Sequence, residues 1–141
     1  MIKNFTQRGH ALLPGLYSSL LLLSACATVV PVEKSIEDRA MARWNTVLSG
    51  DYAGAYEFLS PGYRSSVSFT QYQRSLLLSK VKWNGASYVG SECTESACKV
   101  EISLKFTLYG GIPGIKSFDG NDVIEESWVQ SDNQWYLVPK Q

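Results

Sequence analysis

Cys93 and Cys98 are the two residues whose type and spacing best suit a defined reaction, the formation of a disulfide. They flank a four-residue stretch, Thr-Glu-Ser-Ala, which suits the loop of a hairpin. Residues 81–93 and 98–109 on either side both have the pattern of a strand. In a chain with an export signal, which residues 1–25 resemble, such a pair forms a disulfide more often than a metal or redox site. The sequence therefore predicts a hairpin that a bond between Cys93 and Cys98 closes.

Placing Cys93 opposite Cys98 also sets the register of this hairpin. The pairs that follow are Ser91 with Val100, Val89 with Ile102, Ser87 with Leu104, Gly85 with Phe106 and Trp83 with Leu108. One face of the hairpin is then largely apolar, whereas the other pairs Glu92 with Lys99. The bond is expected to fix the hairpin and not to perform chemistry.

The third cysteine, Cys26, ends a pattern of another kind. A head with Lys3 and Arg8 and no acid precedes an apolar run over 11–25, as in an export signal. The run closes on Leu-Ser-Ala-Cys, which resembles the lipobox of bacterial lipoproteins. The alternative is a transmembrane helix, but fifteen residues fall short of the roughly 20 that span a bilayer.

This resemblance implies that the chain is cut before Cys26 and that the cysteine is acylated. Stable attachment takes more than one acyl chain, and Ala27 after the cysteine implies the periplasmic face of the outer membrane. Residues 26–34 have no helical period and predict an extended tether that reaches at most about 30 Å. The predicted organisation is a signal peptide over 1–25, this tether, and one domain over 35–141.

Composition excludes several kinds of chemistry. Removal of residues 1–25 leaves 11 basic and 13 acidic residues, which gives no basic face for nucleic acid. The single histidine, His10, is lost as well. Without imidazole there is no Ser-His-Asp or Cys-His catalysis, and most zinc sites are excluded. We expect no metal, no cofactor and no assigned catalytic residue.

Helical patterns come first along the chain. Ser35 suits a helix cap and Gly50 a helix end, and Asp51 can cap a second helix. Arg39 and Arg43 are predicted to lie off the apolar face of the first helix. Further signals predict a second helix through Leu59, a single turn after Ser60-Pro61, and a third helix with a capping box from Thr70 to Gln73.

Strand patterns follow the helices. After the first hairpin, the glycine-rich residues 110–120 predict a loop. A second hairpin is predicted over 122–139 with its turn at Asp132-Asn133. Helices followed by about four long strands are typical of an α+β domain in which one sheet curls over the helices.

Several short motifs in this domain resemble those of nuclear-transport-factor-two-like domains, in particular those of small bacterial lipoproteins. They are Arg43-Trp44, Gly50-Asp51-Tyr52, Ala55-Tyr56, Leu59-Ser60-Pro61, Tyr63-Arg64, Glu126-Ser127-Trp128 and Gln134-Trp135-Tyr136-Leu137. The resemblance implies N-terminal helices packed in the concave face of a bent antiparallel sheet, forming a cone that can hold a ligand. It also implies that a homodimer through the convex sheet is common.

Enzymes with that fold, such as ketosteroid isomerase, place acids inside the cone and often pair an aspartate with a histidine. Here the best acid is Glu126, because alternation with Ile124 and Trp128 places it on the core side of its strand. The alternative is a glutamate that is solvated or paired with a lysine or arginine.

Four aromatic residues are candidates for the lining of a pocket around Glu126. They are Trp44, Tyr56, Phe106 and Trp128. The competing interpretation is that side chains at helical or strand spacing simply form the core.

Three apolar residues, Ile112, Ile115 and Phe118, lie within the predicted glycine-rich loop. They either tuck under the sheet or show an apolar patch to a partner. We expect them to tuck, because large exposed apolar patches are few on soluble domains.

Two hypotheses for function follow. The first is a non-catalytic binding or interaction module, anchored in the envelope, whose partner is an envelope protein or an apolar small ligand. The second is a small pocket enzyme, of isomerase, dehydratase or cyclase type, that uses a carboxylate on an apolar metabolite. Missing imidazole and the predicted anchor favour the first.

Overall fold

The computed structural model of the chain describes residues 35–140, apart from the side chains at 111 and 112. Four helices precede four strands in this range: α1 Ile36–Ser49, α2 Tyr52–Glu57, α3 Pro61–Ser66, α4 Phe69–Leu77, β1 Val81–Cys93, β2 Ala97–Ile112, β3 Ile115–Ser131 and β4 Gln134–Val138. The strands form one antiparallel sheet in the order β1-β2-β3-β4. The α+β class is confirmed. The predicted signal, the lipidation site Cys26 and the tether lie outside the described residues.

Local capping chemistry sets the first two helices. The Ser35 hydroxyl accepts a hydrogen bond from the Asp38 amide at 3.1 Å, and the Asp51 carboxylate accepts one from the Gly54 amide at 2.9 Å. Gly50 ends α1 at φ 79°, in the left-handed region that suits glycine. These signals were predicted from sequence and are confirmed.

The fourth helix begins earlier than predicted. Ser68, not Thr70, is the cap: its hydroxyl accepts from the Gln71 amide, and the Gln71 side chain accepts from the Ser68 amide at 2.9 Å. Both polar groups satisfy amide donors that a helix start leaves free. The second helix also stops at Glu57, because the chain then turns so that Leu59 bridges Leu137 of β4 in parallel.

The predicted register of the first hairpin holds only near its turn. Ser91 lies opposite Val100 and Glu92 opposite Lys99, but Tyr88 lies opposite Ile102 where Val89 was expected. Bulges at Val89 and Asn84 each insert one residue into β1. Counted from the turn, each bulge shifts the pairing of all residues beyond it by one and moves them to the other face. The predicted pairs of Val89, Ser87, Gly85 and Trp83 are therefore wrong, and Trp83 pairs with Phe106.

Most of the glycine-rich residues 110–120 form strand, and the predicted loop is reduced to a turn at 113–114. The strands β2 and β3 pair nearly to their shared turn, and Gly120 lies opposite Phe106. A Cβ at Gly120 would lie 2.8 Å from the Phe106 ring, so the glycine permits close packing there. The expected tucking is wrong as well, because Ile115 and Phe118 are both about half exposed.

The core lies between α1 and the sheet, since α1 packs on β1 and β2. The fully buried large side chains are those of Trp128, Leu59, Ile102, Leu104 and Val100. On β2, the buried residues alternate as Cys98, Val100, Ile102 and Leu104. This alternation places one face of the sheet against the helices.

A disulfide joins Cys93 and Cys98, whose Cα atoms lie 4.1 Å apart. We expect the Cys93→Ser/Cys98→Ser variant to lose about 2 kcal/mol of unfolding free energy, because the closed loop is short. Urea denaturation followed by circular dichroism measures this change. Both proteins should give the same native spectrum; a variant without native secondary structure would contradict a role limited to fixing the hairpin.

Candidate functional site

A buried ion pair joins the first helix to the third strand. The Arg43 guanidinium donates to Oε1 of Glu126 at 2.7 Å, and the two residues are only 9% and 6% exposed. Arg43 is positioned by α1 and Glu126 by the core side of β3. Because buried charges are costly unless paired, each of these residues depends on the other.

Two indole groups complete the environment of the carboxylate. Nε1 of Trp44 donates to Oε1 of Glu126 at 3.1 Å, and Nε1 of Trp128 donates to Oε2 at 3.1 Å. Both carboxylate oxygens therefore accept hydrogen bonds from buried donors. Trp128 is itself fully buried, so its indole donor is shielded from water.

Aromatic packing extends the cluster toward β1 and β2. The Arg43 guanidinium lies 4.5 Å from the Trp44 ring centre, a cation–π distance. Trp44 meets Trp83 edge to face at 5.6 Å, and Trp83 meets Phe106 at 6.1 Å. Edge-to-face pairs of this kind add to the energy of burial.

The phenol of Tyr72 lies beside the guanidinium of Arg43. Burial raises the pKa of Tyr72, and the charge of Arg43 opposes this rise. At ordinary hydrogen-bond geometry, neither the Tyr72 hydroxyl nor Nε of Arg43 has a partner within residues 35–140. Both oxygens of Glu126 thus have partners, whereas two polar atoms at Arg43 and Tyr72 have none at that geometry among the described residues.

Burial is the main influence on the pKa of Glu126 and raises it, while Arg43 and the two indole donors oppose the rise. The folded protein therefore holds a proton on this group at higher pH than the unfolded chain, where glutamate titrates near about 4.3. The stabilisation from this proton is fully present below that value. It is lost as pH rises through the raised pKa.

We expect the wild type to lose stability relative to Glu126→Gln as pH increases from about 4. Unfolding free energies of both proteins, measured across that range, test this. Glu125→Gln removes one carboxylate from the exposed face of the same strand and controls for the loss of a charge. If the wild type instead gained stability relative to Glu126→Gln as pH increases, the ion pair would outweigh burial and lower the pKa of Glu126.

A hollow of about 380 Å³ opens next to the ion pair. Arg43, Trp44 and Glu126 line it with Leu76 of α4, Trp83 of β1 and Ile124 of β3. The rest of its lining is Glu125, Ser127 and residues 137–140. The wall thus combines aromatic and aliphatic side chains with the buried ion pair and two further charged residues, Glu125 and Lys140. Sites for small molecules commonly have this character.

The structure separates the residues that were predicted to share a pocket. Trp44 and Glu126 line the same hollow, whereas Trp128 bonds to Glu126 but lines a different hollow beside Cys93 and Cys98. Phe106 lines a third hollow on the sheet.

Tyr56 packs within the helical layer. Its ring meets those of Phe69 and Tyr72 at 5.7 and 5.6 Å, and its hydroxyl donates to the Val67 carbonyl at 2.7 Å. This side chain therefore holds α2 against the segment that leads into α4, which is the core alternative weighed for it.

Sequence reasoning missed Arg43, which was placed off the buried face of α1. The spacing of Ala40, Arg43, Trp44 and Val47 is i, i+3, i+4 and i+7, and all four are buried. This spacing was the available signal. The alternative that Glu126 pairs with an arginine agrees with the observed contact.

Within the described part of the chain, no cluster of three or more histidine, cysteine or acidic residues could hold a metal ion. A search of the same residues finds no helix with the length and apolar character needed to cross a membrane.

No protein-family model and no curated protein matches the chain. Several solved structures match, and two of them are SEC-C motif containing proteins. A SEC-C motif containing protein from Rhodopseudomonas palustris has a TM-score of 0.58 at 16% identity, over 74% of this chain and 76% of that one. A SEC-C motif containing protein from Psychrobacter arcticus has a TM-score of 0.54 at 13% identity, over 76% of this chain and 60% of that one.

These neighbours correct the family resemblance drawn from the sequence. They are SEC-C motif proteins, so the assignment to a nuclear-transport-factor-two-like lipoprotein family was wrong. The motifs behind it serve local purposes here: Gly50-Asp51 ends one helix and caps the next, and Ser60-Pro61 starts α3. At these identities the comparison establishes a shared fold: four antiparallel strands with a helical layer.

Proposed function

We propose that the chain is a membrane-anchored lipoprotein of the cell envelope, on the periplasmic face of the outer membrane, whose folded domain binds a ligand or partner without transforming it. The anchor rests on the Leu-Ser-Ala-Cys run that ends at Cys26. The binding role rests on the hollow beside Arg43 and Glu126.

One observation carries the non-catalytic role: both oxygens of Glu126 already accept hydrogen bonds. Oε1 accepts from Arg43 and Trp44, and Oε2 accepts from Trp128. These donors stabilise the charged carboxylate and so make it a weaker base. A general base must also come within hydrogen-bond reach of the proton that it takes, and moving this carboxylate toward a ligand would break a buried, charge-assisted hydrogen bond.

The hollow suits an apolar ligand with one polar group. Its walls include Trp44, Leu76 and Trp83, which favour aliphatic or aromatic surface because burial of such surface is the main driving force for binding. Lys140, which also lines the hollow, can pair with a carboxylate or phosphate of the ligand.

The competing proposal is a pocket enzyme that uses Glu126. The raised pKa of this carboxyl is the observation that favours it, since acids with raised pKa values occur at active sites. Ion pairs that serve only the structure also perturb carboxyl groups, and the three buried donors that hold the carboxylate of Glu126 in place favour binding.

A thermal-shift screen with fatty acids, sterols and aromatic alcohols tests the binding role. We expect a ligand to stabilise the wild type and Leu78→Trp but not Leu76→Trp, because Leu76 lines the hollow and Leu78 is exposed. Chemical conversion of a ligand by the wild type, with loss of conversion in a folded Glu126→Gln protein, would replace binding by catalysis.

The anchor has its own test. We expect the protein to partition with membranes, with an intact mass that lacks residues 1–25 and includes acyl chains. Cys26→Ser should abolish both the acyl mass and the cleavage. A membrane-extracted protein that retains its first residue, or that carries no lipid, would contradict the anchor and leave the binding test unaffected.

A further inference from the structure

The edge of β3 has an uncovered stretch. The strand β4 pairs with β3 only over Ser127–Ser131, so the outer edge of 115–126 has no neighbouring strand within the described residues. An open edge presents unpaired amide and carbonyl groups to any chain that can lie beside it.

The other two outer edges of the sheet are protected. The Ser60 amide donates to the Leu137 carbonyl, and the Leu137 amide donates to the Phe58 carbonyl, both at 2.8 Å. These bonds pair both backbone groups of Leu137 on the outer side of β4. The edge strand β1 has two bulges, which are a known protection against edge pairing.

The open part of β3 has no bulge, although one of its amides, that of Val123, donates to Oδ1 of the adjacent Asp122 at 2.8 Å. Its pairing with β2 is continuous from Ser117 to Val129, and 115–126 contains no proline. Three large apolar side chains on it are exposed: Ile115 at 47%, Phe118 at 49% and Val123 at 52%. A long, regular and partly apolar edge is the kind that pairs with another strand.

We propose that the occupant of this edge is a second copy of the chain, paired antiparallel through β3 about a two-fold axis at Asp119. A two-fold axis places the same strand of each copy side by side. The register then pairs Ile115 with Val123, Lys116 with Asp122, Ser117 with Asn121 and Phe118 with Gly120, each of them twice.

Opposite charges and apolar contacts favour this register. The pair of Lys116 with Asp122 unites opposite charges, and the pair of Ile115 with Val123 unites exposed apolar side chains. Cross-strand pairs of both kinds stabilise a sheet. The register centred on Gly120 would instead place Lys116 opposite Ile124 and Phe118 opposite Asp122, so it loses both advantages.

Asp119 is the one unfavourable contact, since it faces its own copy across the axis. Its carboxylate already accepts a hydrogen bond from the Thr107 hydroxyl at 2.6 Å, which holds it toward β2. Like charges directly opposite weaken a pair of strands. Asp119→Asn is therefore expected to tighten the dimer about two- to fivefold.

Cross-linking of the full chain in its membrane tests the geometry. Residues directly opposite in an antiparallel pair have Cα atoms about 4.5–5.5 Å apart, within disulfide reach. We expect Asp119→Cys to form a disulfide-linked dimer on mild oxidation. Glu125→Cys on the same strand is the matched control, because its two copies would lie about 40 Å apart at the rise of a strand. Cys26 is common to both variants.

A charge exchange tests the register. Made in the Asp119→Cys protein, Lys116→Asp and Asp122→Lys should each reduce the cross-linked fraction severalfold, and together they should restore it. Equal cross-linking of Asp119→Cys and Glu125→Cys in folded protein would overturn the proposal. So would a wild type that sediments as a monomer at tens of micromolar.

Discussion

Replacing Arg43 by methionine is expected to lower the free energy of unfolding by about 3–5 kcal/mol. The change leaves the carboxylate of Glu126 buried at 6% exposure without its cation, and it removes the contact between the guanidinium and the Trp44 ring. The loss should be smaller at acid pH, where Glu126 takes up a proton. Urea denaturation at pH 5 and pH 8 measures both effects.

The double variant Arg43→Met/Glu126→Leu provides the control. Replacing a whole buried ion pair by apolar residues of similar volume is often neutral or stabilising. We therefore expect the double variant to regain most of the stability that Arg43→Met loses. If the double variant is as unstable as the single one, packing around Arg43 and not the unpaired charge is the cause.

Replacing Trp128 by alanine is expected to cost about 3–5 kcal/mol, because a fully buried indole leaves a large cavity. The same change removes the hydrogen bond to Oε2 of Glu126. Trp135→Ala on β4 is the matched control, since Trp135 is only partly buried. Thermal and urea unfolding should rank the two variants in that order; equal losses would contradict a central role for Trp128.

The Trp128→Phe variant separates the two causes. Phenylalanine keeps much of the apolar volume but has no donor for Glu126, so the loss should be about 1–3 kcal/mol. A loss as large as that of Trp128→Ala would mean that the hydrogen bond matters more than packing.

Features that depend on neighbouring residues were predictable from the sequence. The caps at Ser35 and Asp51 and the stop at Gly50 each use a side chain or a backbone angle within a few positions. The same holds for the turn at Asp132 and Asn133, where both residues take positive φ. Local hydrogen-bond chemistry decides such features.

Features that depend on distant residues were not predictable in this way. Val89 continues the apolar pattern of β1, so nothing nearby indicates that it bulges to 52% exposure. The glycines in 110–120 suggest a loop, but β2 offers paired backbone groups along nearly its whole length. The partner of Glu126 lies 83 positions earlier in the chain.

That separation has a consequence for the order of folding. The helix α1 cannot bury Arg43 favourably until β3 supplies Glu126, and the segment at Leu59 has no strand to bridge until β4 supplies Leu137. Contacts so distant in sequence form late, because a long stretch of chain must first be closed into a loop. The helices α1 to α4 are therefore expected to pack stably only after nearly the whole chain has been synthesised. If the chain is exported in extended form, as the proposed anchor requires, this delay keeps it unfolded until it has crossed the membrane.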